Sequence, residues 1–301
     1  MLSRHDLALG TRPRGPGWTT VGRGVRRREP ATDLQAWQQV LRPTAAFTHL
    51  TSAVARGWWL PPLPADLPRW VAQIGAQNAS VRAGLVVSRH RAIPDSEVLD
   101  GVRFTTAAET LLACARDLGV LDVLVMADGV LHRKEASPDE LWTVARQHRR
   151  GAPRLREVLA LADGRSESAW ETMLRTLHVV CGIEVEPQHE VRAPDGTFVA
   201  RGDLWLVGTD SLHELDGGLH LTRRQQQLDL ARGRRIGHAG MKRRGYTSDD
   251  VLRRGVTVLR DADRALGRPH DPRRIQVWHD LLRASLFSPA GQAAFRARLA
   301  R

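Results

Sequence analysis

The stretch from Phe198 to Gly218 restricts the fold more than any other part of the chain. Arg201-Gly202-Asp203-Leu204-Trp205-Leu206 puts a carboxylate at the head of an apolar, strand-like run, and Leu212-His213-Glu214-Leu215-Asp216-Gly217-Gly218 puts two more at positions i and i+2. Residues two apart on a strand share a face, so Glu214 and Asp216 point the same way, with His213 on the opposite face. Asp203 meets them if the two strands are neighbours in one hairpin. Carboxylates forced together repel unless something neutralises them. A hard divalent cation, Mg2+ or Mn2+, does so, and it also lowers the pKa of a bound water and stabilises charge on a phosphoryl group. Asp203, Glu214 and Asp216 are therefore candidate metal ligands, and His220, just past the turn, is a candidate to line the same site. The residues also read without a metal. Asp216-Gly217-Gly218 is a good hairpin turn, and Asp203 can cap or pair with Arg201.

Around this core the pattern is mixed α and β. Val185 to Val191 reads as a strand, followed by a turn at Pro194-Asp195-Gly196; Phe198 to Val207 and Ser211 to Leu215 are the next two. A helix from Ser166 to about Cys181 precedes them, with Glu167 and Glu171 four residues apart on one face, and a polar, basic helix from Gln225 to Gly237 follows. Upstream, Asp33 to Leu41 and His49 to Ala55 have helical spacing, and Pro61-Pro62-Leu63-Pro64 is a hard break. Trp70 to Ile74, Leu85 to Ser88 and Val102 to Thr106 read as strands. Ala107 to Leu118 and Leu121 to Leu131 read as helices, and Ser137-Pro138-Asp139-Glu140 opens another. Residues 1–30 are rich in Gly, Arg and Pro, with a short helix expected over Leu2 to Leu9 and a hairpin from Trp18 to Val25. The expected fold class is α/β, α+β overall. It divides into a basic arm or partial winged helix (1–32), an α+β domain (33–150), a mixed sheet flanked by helices (151–265) and a C-terminal helical tail (266–301).

With 301 residues and 42% hydrophobic content, the chain can bury a large core. Its net charge of +12 suits an anionic partner, nucleic acid above all. Lys134 and Lys242 are the lysines among 45 basic residues. Arginine gives planar, bidentate phosphate contacts; a GC-rich genome also favours it over lysine, though that leaves the net charge unexplained. Arg201, Arg223, Arg224, Arg232, Arg235 and Lys242 are the candidate phosphate contacts, against the plainer reading of a solvated helix face. Cys114 and Cys181 lie in apolar helical settings with no CxxC partner and read as buried thiols. Without an apolar leader or a run of about 18 apolar residues, a cytoplasmic chain with no membrane span is expected.

Residues 166–251 resemble a bacterial domain family related to very-short-patch-repair endonucleases, within the PD-(D/E)XK nuclease superfamily. The matching residues are Ser166-Glu167-Ser168-Ala169-Trp170-Glu171, then Arg201 and Asp203, then Glu214-Leu215-Asp216-Gly217-Gly218-Leu219-His220. Asp229 with Arg232, and Ala239-Gly240 leading to Thr247-Ser248-Asp249-Asp250-Val251, complete the match. The resemblance implies a central mixed sheet flanked by helices, metal on Asp203 and Glu214 with support from Glu171, and hydrolysis of DNA phosphodiesters. Asp216 stands where active members carry lysine. Either His220, Arg223, Arg224 or Lys242 substitutes, or Asp216 is a third metal ligand, or the fold has been kept without the chemistry. His49 to Gly57 with Leu63-Pro64, and Thr105 to Leu112, are similar to segments of AbiEi-type antitoxins of type IV toxin–antitoxin systems, most of whose winged helix is missing here. The expected function is a DNA-binding protein with a metal-dependent endonuclease-type domain. The alternative is a non-catalytic DNA-binding regulator or antitoxin, with a cognate toxin or other protein as partner.

Overall fold

The computed structural model describes residues 6–10, 16–75, 82–92, 94–216 and 223–299, with the backbone alone for residues 223–226 and 229. Three short strands open it: β1 (Leu7–Leu9), β2 (Thr19–Gly22) and β3 (Val25–Arg27) form an antiparallel sheet in the order β1-β3-β2. The helix expected at Leu2 to Leu9 is thus a strand over its last three residues, because Leu7, Ala8 and Leu9 pair with Arg27, Arg26 and Val25. Residues 2–5 of that expectation lie outside the described residues. Helix α1 (Asp33–Gln38) begins at Thr32, whose hydroxyl accepts from Gln35 N while Gln35 Oε1 accepts from Thr32 N, a reciprocal capping box.

Next come β4 (Ala46–Phe47), α2 (His49–Ala55), β5 (Arg69–Ile74), β6 (Leu85–His90), β7 (Ser96–Leu99) and β8 (Val102–Thr105). These strands make a mixed sheet in the order β6-β5-β4-β8-β7, with β5/β6 and β4/β8 parallel. A helical layer follows: α3 (Ala107–Cys114), α4 (Val120–His132), α5 (Pro138–Ala145) and α6 (Ala152–Leu159). The expected Ser137 cap is present, with Ser137 Oγ accepting from Glu140 N and the Glu140 carboxylate accepting from Ser137 N. Helix α4 is mostly apolar and is buried on all sides from Val120 to Val130. Its Val123, Leu124 and Met126 join the cluster of α3, α5 and α6, while its Leu121 and Val125 join the core of the second half.

The second half runs α7 (Ala169–Val180), β9 (Val185–Arg192), β10 (Phe198–Leu206), β11 (Ser211–Leu215), α8 (Arg223–His238) and β12 (Lys242–Tyr246). Its sheet order is β12-β11-β10-β9. The first three strands in sequence are antiparallel, and β12 returns parallel to β11 after the α8 crossover. This is the mixed sheet flanked by helices expected for residues 166–251. Leu204 and Leu206 pack with Met173, Leu174 and Leu177 of α7, whereas Leu212 packs with Ile236 of α8. The chain ends in α9 (Ser248–Arg253), α10 (Gly255–Ala265), a 3-10 turn at Pro272–Ile275, α11 (Gln276–Arg283) and α12 (Pro289–Leu299).

Two buried carboxylates of α4 tie these parts together. Asp128 is ion-paired to Arg175 of α7 at 2.8 Å, and it accepts from Thr172 Oγ1 and Asp163 N. Asp122 accepts from Ser285 Oγ at 2.8 Å and from Leu286 N at 2.9 Å, so it anchors the tail to the centre. Burial pushes the Asp122 carboxyl up to about 6. Cys114 and Cys181 are free, buried thiols, as expected. Among the described residues no helix is long and apolar enough to cross a membrane.

Candidate functional site

Ser168, not Ser166, caps α7: its Oγ accepts from Glu171 N at 3.1 Å. Glu167 therefore precedes the helix, and it does not share a helical face with Glu171. Glu171 Oε2 instead accepts from the Glu167 backbone N–H and from Gln188 Nε2, both at 2.8 Å. Gln188, inside β9, has a left-handed φ of 57°, a conformation rare for residues other than glycine and one that bends a strand locally. No signal in the sequence marks that kink.

Asp203 accepts from Leu215 N at 2.8 Å through Oδ2, bridging β10 to β11. Burial is the largest influence on its carboxyl and pushes it up to about 6; the charges of Glu171 and Glu214 act in the same direction, while the Leu215 bond and Arg232 oppose them. Glu171 and Glu214 thus both lie within electrostatic range of Asp203, and β10 and β11 are neighbours in one hairpin. Arg201 does not turn to Asp203. It pairs with Glu167 at 2.5 Å.

Glu214 is almost wholly buried, and both of its oxygens are taken. Arg232 of α8 grips it bidentately at 2.7 and 2.8 Å, and Arg243 Nε of β12 binds Oε2. Arg243 also reaches Asp216 Oδ1 through Nη2 at 2.8 Å, so Glu214 and Asp216 share a face and one guanidinium. Arg243 arrives there because β12 pairs in parallel with β11, setting Arg243 opposite Leu212 and Gly245 opposite Glu214. The Asp216 carboxylate lies over Gly245, where a Cβ would collide with it. Arg232 Nη2 also donates to Arg201 O at 2.7 Å.

Among the described residues no three His, Cys, Asp or Glu side chains gather as a metal-holding group. As placed, the donors do not fit a Mg2+ ion: both Glu214 oxygens are held by guanidiniums, Asp216 is paired, and one Asp203 oxygen holds a backbone N–H. His220 lies outside the described residues, as do the side chains of Arg223 and Arg224. Of the other candidate phosphate contacts, Lys242 pairs with Asp210 at 2.7 Å, and Arg235 is exposed on α8.

Behind the sheet, a buried chain that the sequence reading missed runs from α7 to β12. His178 Nδ1 lies 2.8 Å from Leu174 O, and His178 Nε2 lies 2.9 Å from His213 Nδ1. The Tyr246 hydroxyl donates to Asp261 at 3.3 Å and packs against His213. Burial holds His178 down to about 4 and His213 to about 2, so both stay neutral. His213 is a core residue and not a ligand. No family model, curated protein or solved structure matches the chain.

Proposed function

We propose that the chain is a non-catalytic DNA-binding protein, the acidic centre of its unit from α7 to β12 closed by arginine. The observation that carries this reading is the grip of Arg232 and Arg243 on Glu214, with Arg243 extended to Asp216. A guanidinium on each side neutralises the carboxylate that a catalytic cation would need. Asp216, in place of lysine, supplies no positive charge of its own. The net charge of +12 provides the attraction to phosphate.

One observation favours a second reading, a metal-dependent endonuclease. Asp203 is held up to about 6 by burial and by two neighbouring carboxylates, a crowding that a cation relieves. Plasmid incubated with the purified protein and Mg2+ or Mn2+, beside the Asp203→Ala/Glu214→Ala double variant, separates the two. Salt-sensitive DNA binding without cleavage is the expected result. Cleavage that the double variant abolishes would replace the first reading with the second.

A further inference from the structure

A basic concavity lies against the first mixed sheet, far in sequence from Glu214. The C-terminal end of β6, the end of α3 and the turn before α6 enclose a cavity of about 920 Å3, within the size range of ligand sites. Arg89, Arg91, Arg116, Arg149 and Arg150 line it, against Asp95 and Glu109. These arginines differ in what holds them. Arg149 is gripped by both oxygens of Glu109 at 2.5 and 2.6 Å. Arg116 gives Nη1 to Ser88 Oγ at 2.7 Å, and its buried Nε has no partner. Arg89, Arg91 and Arg150 are exposed, and their guanidinium groups make no hydrogen bond or ion pair with any described residue.

Five arginines against two carboxylates leave the cleft with an excess of positive charge, and a concave wall focuses that potential. His90, between Arg89 and Arg91, lies in that field. Burial lowers its imidazole below the ordinary value, and Arg149 lowers it further. The cavity therefore draws its charge from arginine, whose planar fork suits phosphate oxygens. No Phe, Tyr or Trp is among the described lining residues, so charge rather than a row of large stacking rings dominates the cleft. Contacts here fall on phosphate, which positions a nucleic acid without reading its sequence.

We propose that this cleft is a phosphate-ester site that takes the backbone of a nucleic acid, with Arg89, Arg91 and Arg150 as direct contacts and Arg116 at the floor. This rests on the DNA-binding reading above and moves the principal contact surface from α8 to the first sheet. A free nucleotide has the same phosphate chemistry and is the other source to test.

The full chain, the variant Arg89→Ala/Arg91→Ala/Arg150→Ala and the variant Arg234→Ala/Arg235→Ala are titrated against a labelled duplex by fluorescence anisotropy over a salt series, and against ATP by calorimetry. Equal thermal melting shows that the variants are folded, and the single Arg91→Glu variant repeats the test if the triple variant melts early. The expected result is duplex binding that the cleft variant weakens at least tenfold, with the slope of log K against log salt reduced by roughly two to three, while the α8 variant keeps most of its affinity. Duplex binding unchanged in the cleft variant overturns the proposal and leaves the DNA-binding reading standing. ATP binding abolished by the cleft variant, with no duplex binding, keeps the phosphate site but overturns both its nucleic-acid ligand and the DNA-binding reading. Binding of neither probe overturns both proposals.

Discussion

Asp203→Asn should stabilise the protein at alkaline pH and leave it unchanged in acid. The carboxyl titrates near 3.8 in an ordinary setting and near 6 in the fold. Between those values the folded protein holds a proton that the unfolded chain has lost. Stability therefore falls as pH rises through that window, and the loss is complete above it. A displacement of roughly two units corresponds to at most about 3 kcal/mol; the partial exposure of Asp203 brings the expected gain to about 1–3 kcal/mol. Asparagine keeps an acceptor for Leu215 N and removes the charge facing Glu171 and Glu214. In a chain of 301 residues each kcal/mol moves the melting temperature by roughly 1.5–2 °C, so a rise of about 2–5 °C at pH 8 is expected by differential scanning calorimetry. At pH 3, where the carboxyl is protonated in the fold and largely so in the unfolded chain, the difference should nearly vanish. Asp122 titrates in the same range, but it does so in both proteins and cancels from the comparison. An equal gain at both pH values would show that the cause is packing and not charge, and a lower melting temperature at pH 8 would refute the assignment of Asp203 as a destabilising carboxylate.

Three further substitutions test the packing. Arg175→Ala leaves Asp128 as a buried charge without its cation, and urea unfolding should show a loss of about 3–5 kcal/mol; a loss under 1 kcal/mol would mean that Thr172 and the 163–164 backbone suffice. Gly291→Ala drives a methyl group into the Ser285 carbonyl, and despite alanine's better helix propensity it should cost about 1–3 kcal/mol, with faster amide exchange in α12 as the site-specific readout. Arg232→Ala removes the bidentate partner of Glu214 and should lower stability by about 2 kcal/mol; an unchanged melt would show that Arg243 alone satisfies the buried carboxylate.

The elements that the sequence shows clearly are those whose local signals agree. Alternation across Val185 to Leu215 predicts three strands, and β9, β10 and β11 lie there. Ser137 and Glu140 three apart predict the start of α5. Misreadings occur where a distant partner decides. The end of the helix expected over Leu2 to Leu9 becomes a strand at Leu7–Leu9 because Val25 to Arg27 offers a ladder. Ser166 and Ser168 are equally good caps by type, and the choice of Ser168 puts Glu167 outside α7. β4, only two residues long, is too short to show alternation, yet it holds the centre of its sheet. At the site, the shared face of Glu214 and Asp216 follows from strand period alone. Their cation does not, because Arg243 reaches them only through a parallel pairing set by the α8 crossover.

Arginine is abundant throughout the chain, and codon bias is a sufficient reason for its replacing lysine. Codon bias does not act on where carboxylates sit. Around Glu214, among the described residues, the nearby guanidiniums meet acids: Arg232 and Arg243 on Glu214, Arg243 also on Asp216, and Arg201 on Glu167. In the first-sheet cleft, Arg89, Arg91 and Arg150 meet none among the described residues. An ion pair already made within the fold has to be broken before its cation can serve a ligand, whereas an unpaired guanidinium in a concave wall gains by binding one. By this criterion the charge available to phosphate lies at the cleft, although the acidic motif that stands out in the sequence lies on β10 and β11.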